Sequence, residues 1–214
     1  RTQHEFVLQQ GRDRGLSNLV HHVGNVADLC RPEPKRLGGA SDSRTLWHTL
    51  GQFDRIVSVE MFEHLRNVDA LLCGIGPLLA DDGRLLVHIF CHRELFYRFV
   101  DAGTSDWMAR HFFTGGAMPP ADLFEHVAGP FELLQRWDVP GTHYARTCRA
   151  WLENLDERRD DVVSRFTKDM SRAAAQRQRQ RWRMFVMACE ELFAWDAGRE
   201  WLVTHHLLAK SARS

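Results

Sequence analysis

The chain has 214 residues, with 28 basic and 28 acidic side chains, 44% apolar content and 10% aromatic content. These are the proportions of one globular domain, so wholesale disorder is excluded, and the balanced charge excludes nucleic-acid binding by bulk electrostatics. The most apolar run, Ala70–Ala80, carries two glycines and a proline and is about half the ~20 residues needed to cross a bilayer.

Residues 2–14 read as a helix, with Phe6, Val7 and Gln10 near one stripe and Gly11 and Gly15 loosening its end. Leu19–Val26 reads as a short strand. Residues 30–51 are rich in Pro, Gly and Ser and follow neither period, which predicts a loop insertion. Ile56, Val57 and Val59 predict a buried parallel strand over Phe53–Val59, ending in Glu60. A helix over 68–79, a turn at Asp81-Asp82-Gly83 and a buried strand at 84–90 complete one βαβ unit. Beyond it the sequence predicts a helical stretch at 94–100, a helix opened by Pro119-Pro120, and a strand over 131–138. Long helices over 145–166 and 171–194 and a closing strand over 201–208 follow. This order describes an α/β fold with an antiparallel end.

The five cysteines are odd in number and form no CxxC pair, which predicts a reducing, cytoplasmic setting and no metal site. The first residues hold no apolar leader segment. Ligands of open α/β sheets sit beyond the carboxyl ends of the strands. Two such ends are chemically loaded here: Glu60-Met-Phe-Glu63-His64 and His88-Ile-Phe-Cys91-His92. Glu63 and His64 could equally start a helix, where an acid is favoured by the dipole. Trp107, Phe112, Phe113, Trp137 and Tyr144 could wall a pocket for a cation or belong to ordinary core. The arginines of 172–183 read as the solvated face of a helix whose other side holds Trp182, Phe185 and Val186.

The stretches FDRIVSVEMFEHLRN (53–67), VHIFCH (87–92), DWMARHFFTGGAMPPADL (106–123), GTHYARTCRAWL (141–152) and REWLVTHHLLAK (199–210) occur in one order. With them the chain resembles the S-adenosylmethionine-dependent methyltransferases of the cyclopropane fatty acid synthase and coclaurine N-methyltransferase superfamily. The resemblance implies a Rossmann-like class I methyltransferase sheet. The family's D-x-G-C-G-x-G turn and its first two strands have no counterpart here, so the expected domain, residues 1–214, is N-terminally incomplete. Residues 91–130 are expected as a helical substrate-pocket insertion.

The resemblance further implies catalytic roles for Glu60, Glu63 and His64, and a substrate pocket with His88, Phe90, Phe112, Phe113 and Tyr144. It places Thr2, Gln3, Asn25 and Val59 against S-adenosyl-L-methionine. Cyclopropane synthases usually have glycine where this chain has Glu60, so the implied activity is methyl transfer to a small-molecule amine. Loss of Glu63 as a base would then lower turnover by about 10²–10⁴. Two alternatives stand beside it. One is transfer to unsaturated phospholipid acyl chains, with a bicarbonate base held at the positions of Glu63, His88 and Tyr144. The other is a non-catalytic remnant or interaction module. The expected partner is a small molecule, with no nucleic acid and no integral membrane association; a homodimer is left open.

Overall fold

The computed structural model describes residues 2–30, 51–104, 106–113 and 115–211. Its centre is a four-stranded sheet in the order β1-β2-β6-β5. β1 (Phe53–Val59) and β2 (Leu79–His92) are parallel. β6 (Trp201–Lys210) lies antiparallel between β2 and β5 (Phe131–Val139). Preceding β1 is α1 (Thr2–Asp13).

β2 is apolar on both faces, and its alternation divides the core in two. Leu85, Val87 and Ile89 meet Leu71, Leu72 and Ile75 of α2 (Val68–Ile75), together with Phe62, Phe124, Phe131 and Leu208. Asn67 starts α2 by accepting the Ala70 N–H at 2.9 Å, the ordinary N-cap arrangement. Phe90 and Val203 face the other way. They meet Ala145, Cys148 and Leu152 of α5 (Gly141–Glu157) and Val186, Cys189 and Phe193 of α7 (Arg172–Ala194). Each such burial contributes about 1.5–3 kcal/mol for a large apolar side chain.

The segment between β2 and β5 contains short elements: β3 (Tyr97–Arg98) paired with β4 (Ala117–Met118), α3 (Trp107–His111) and α4 (Leu123–His126). The helix expected at 94–100 is absent. The Glu94 and Leu95 N–H groups donate instead to His92 Nδ1, at 3.0 and 2.8 Å, which turns the chain. α4 begins at Leu123 and not at the prolines, because Pro120 is held in a bridge with His92. Asp81–Gly83 form no separate turn. They lie inside β2, where the register shifts between the Phe53–Leu79 and Arg55–Arg84 pairs.

Leu19–Val26 forms no strand. The chain is irregular up to Asn25 and then enters a 3-10 helix over Val26–Cys30. Val20, Val23 and Val26 are three residues apart, a spacing that lines no strand face, and Val20 and Val23 are exposed. β1 is less buried than expected because it is an edge strand: Val57 and Val59 are 63% and 58% exposed. The long helix expected from 145 starts at Gly141 and stops at Glu157, with α6 (Arg159–Phe166) following separately. Not all of the arginines of α7 are solvated. Arg179 is buried against Asp156 at 2.6 Å, and Arg183 shares the same carboxylate. The insertion expected at 30–51 falls, apart from its ends, outside the described residues.

Candidate active site

β1 delivers Glu60 to the carboxyl end of the sheet. The Glu60 N–H donates to the His88 carbonyl at 3.0 Å, and Glu60 then adopts φ 52°. That left-handed conformation costs a non-glycine residue about 1–3 kcal/mol. It sets the carboxylate between two partners. Oε1 lies 3.0 Å from His88 Nε2, and Oε2 accepts the Tyr144 hydroxyl at 3.2 Å. His88 Nδ1 in turn lies 2.9 Å from His205 Nε2 on β6. Burial pushes the Tyr144 hydroxyl above its ordinary value, with the Glu60 charge adding to the shift, so the phenol stays protonated.

A cavity of about 410 Å³ opens beside this carboxylate, within the range of small-molecule sites. Its polar lining includes Glu60, His64 and Tyr144, and its walls are largely aromatic. Phe90 comes from β2, Phe113 from the loop after α3, and Phe185 and Phe193 from α7, with Met118 and Trp151 beside them. His64 is exposed and stacks alongside Phe113, with centroids 6.4 Å apart and ring planes 20° apart. Cys148 and Cys189 also line the wall. Burial pushes their thiols up to about 11 and about 12, so they act as apolar surface and not as nucleophiles.

The structure separates the residues expected to act together. Glu60 and His64 face the cavity, whereas Glu63 stands behind its wall, 2% exposed, with Oε1 accepting the Phe90 N–H at 2.8 Å. Burial raises Glu63 to about 8. Phe90, Phe113 and Tyr144 line the cavity as expected. Phe112 does not: it stacks on Phe185 at 4.1 Å and packs edge-on against Trp182, because α3 turns its side chain away from the opening. Trp107 packs on Phe112 and His111, and Trp137 lies on β5, so neither lines the cavity. His88 reaches the site through Glu60, and faces a second depression on the far side of Glu60 and Tyr144.

Cys91 and His92 are engaged elsewhere. The Cys91 thiol is buried near Leu202 O and Thr204, and His92 Nε2 pairs with Glu200 at 2.8 Å. Sequence reasoning missed His205 and the wall residues of α7. The signals were present: strand alternation sends the two histidines of Thr204-His205-His206 to opposite faces. The apolar side of α7, with Phe185 and Val186, continues at helical spacing through Cys189 and Phe193.

The residues expected against a nucleoside cofactor do not build a cradle among the described residues. Asn25 Oδ1 is engaged with the Ala27 N–H at 3.0 Å, at the start of the 3-10 helix. Gln3 is exposed on α1, and Val59 is exposed at the end of the open edge strand. Thr2 begins α1, and its side chain lies outside the described residues. This set offers no turn of backbone N–H groups, so it does not fit S-adenosylmethionine on its own.

The sequence matches the family described as mycolic acid cyclopropane synthetase over residues 41–199. It is 28% identical over 213 residues to an (S)-coclaurine N-methyltransferase of Thalictrum flavum subsp. glaucum, covering 98% of this chain and 54% of that protein. It is 31% identical over 174 residues to an (S)-coclaurine N-methyltransferase of Papaver somniferum, covering 78% of this chain and 48% of that protein. The crystal structure of a coclaurine N-methyltransferase bound to N-methylheliamine and S-adenosylhomocysteine matches with a TM-score of 0.79 at 24% identity. That match covers 97% of this chain and 57% of the other and shows the shared fold. The chain thus spans about half the length of the curated relatives it matches.

Proposed function

The chain belongs to the mycolic acid cyclopropane synthetase family of methyltransferases, and from that premise we propose that it carries the acceptor site of an enzyme that methylates a small-molecule amine. The observation that supports this reading is the Glu60 carboxylate, held between His88 and Tyr144 at the edge of an aromatic cavity. A cationic amine entering this cavity gains from the aromatic faces and from the Glu60 charge, each more effective where water is excluded. The amine must lose its proton before its lone pair can attack. Glu60 accepts that proton at Oε1 or Oε2, and His64 stands at the same opening as a second polar contact. Tyr144 donates to Glu60 and fixes the carboxylate, so the acceptor nitrogen is positioned as well as deprotonated. S-adenosylmethionine, as the family's donor, would supply an electrophilic methyl group, and the described residues do not hold it on their own.

Glu63 is the support of this arrangement and not its base, because its carboxyl group holds the Phe90 backbone behind the cavity wall. The cyclopropane reading is less well supported. The space between His88 and Tyr144, where a bicarbonate base would be expected, is filled by the side chain of Glu60.

The test is turnover of the full-length protein with S-adenosylmethionine and a panel of aromatic amines, with product detected by mass spectrometry. Methylated amine is expected, and E60Q should lower kcat by roughly 10²–10⁴. Cyclopropanated phospholipid in place of methylated amine would sink the proposal.

A further inference from the structure

Glu60 touches the amine cavity, but the hydrogen-bond chain that holds it continues away from the cavity. His88 Nε2 lies 3.0 Å from Glu60 Oε1, and His88 Nδ1 lies 2.9 Å from His205 Nε2. The two rings are 4.9 Å apart at their centroids, and His88 and His205 are register partners across the β2–β6 ladder. The backbone thus fixes their separation. Beyond them is the second depression, of about 400 Å³, which shares Glu60, Tyr144 and Trp151 with the amine cavity and adds His88, His143 and His205.

With both imidazoles neutral, proton accounting along this chain has one solution. An ionised carboxylate only accepts hydrogen bonds. His88 facing ionised Glu60 must therefore carry its proton on Nε2. A neutral imidazole has one N–H, so His88 Nδ1 must accept, and the group 2.9 Å away that can donate is His205 Nε2. Burial and the neighbouring His88 hold His205 below its ordinary pKa, so near neutrality its ring is uncharged and has one proton to place.

We propose that His205 is a positioning residue for the base: by donating from Nε2 it fixes the tautomer of His88 that keeps Glu60 ionised in the amine cavity. The inference rests on the amine-methylation reading above. Without the donor, His88 gains nothing from holding its proton on Nε2. The tautomer with Nδ1–H becomes competitive, and it turns a lone pair toward Glu60. The carboxylate then binds a proton more readily and ceases to act as a base at a pH where it formerly did.

The other charged and titratable groups around the triad are defined. Tyr144 and His143 face it from α5, Cys148 from α5 and Cys189 from α7, and Glu63 and His64 from the turn after β1. Arg136 and Asp138 of β5 act on His206, on the opposite face of the sheet, and not on His205.

The experiment measures kcat and KM of the full-length protein against pH for three variants. Gln places an amide N–H where His205 has Nε2, whereas Asn and Leu do not. H205L and H205N should move the acid limb of kcat upward by about one pH unit and so lower kcat by roughly tenfold at pH values below that limb, with KM for the amine unchanged. H205Q should restore the wild-type limb. H205N replaces the ring with a small polar group, so it carries the test if H205L folds poorly. An acid limb that stays in place in H205N, or H205Q behaving like H205N, would overturn the role of His205 and leave the amine reading standing. A wild-type protein that methylates no amine would overturn both.

Discussion

Glu63 is 2% exposed, with one oxygen on the Phe90 N–H and Oε2 without a hydrogen-bond partner. Burial is the largest cause that lifts its pKa from 4.5 to about 8, and the Glu60 charge adds to it. The folded state therefore holds this proton more tightly than the unfolded chain does. The resulting stability is fully present below about pH 4.5 and is lost as pH rises through about 8. Gln at this position keeps the acceptor for Phe90 and cannot ionise. E63Q should thus flatten the decline, and its advantage over wild type should grow to the order of a few kcal/mol by pH 8. Urea unfolding at a series of pH values measures this, and parallel curves for the two proteins would show that Glu63 is solvated in solution. Glu60, by contrast, pays for its place in backbone conformation, with φ 52° at a residue that is not glycine.

The element that brings Tyr144 to Glu60 is α5, and its docking depends on two glycines. A Cβ on Gly141 would lie 2.0 Å from the Trp201 carbonyl oxygen and 2.5 Å from that of Phe193. Gly198, at φ +75°, leaves room for the Thr142 N–H. Neither Gly141 contact is a side chain that can swing away. G141A should therefore cost at least the about 1–3 kcal/mol of ordinary overpacking and shift Tyr144 off Glu60. Denaturant unfolding reads the first effect, and a lower kcat reads the second. A fully stable, fully active G141A would mean that α5 docks differently. The sequence predicts a helix from 145, but its true start at Gly141 was not legible. Gly141 normally argues against a helix interior, and only the tertiary contact explains it. The same distinction runs through the chain. The strand at 84–90 could be read because RLLVHIF is apolar on both faces, as a central strand must be. Residues 94–100 could not, because the turn there is made by a side chain, His92, outside the segment. The resemblance singled out Glu60 and Tyr144, and the structure brings the two together. Burial sets Glu63 behind the wall and packing on Phe185 and Trp182 draws Phe112 away from it, and no local pattern encodes either.

At the scale of the molecule, the two cores meet on β2 and β6, and β1 is the margin of the sheet. One face of β1 packs inward through Ile56 and Ser58, while Phe53, Val57 and Val59 present apolar surface outward. An apolar edge strand is a template for association, which a charge on the outward face suppresses. The site depends on this margin, because Val59 leads directly into Glu60. The outward face can be probed by V57K in the 214-residue chain. If the face is bare in solution, V57K should change stability by no more than about 0.5 kcal/mol, as for other surface substitutions, and should lower light scattering at high concentration. V87K places the same charge at a fully buried position on the neighbouring strand and should abolish cooperative unfolding, since an unpaired buried charge costs more than a domain can spare. If V57K proved as damaging as V87K, the outer face of β1 would be covered in solution, and Val59 beside it could not be open to a nucleoside. The same substitution in a protein of the relatives' length measures whether further chain covers this face. A mild effect in the 214-residue chain and a severe one there would locate further chain against the outer face of β1.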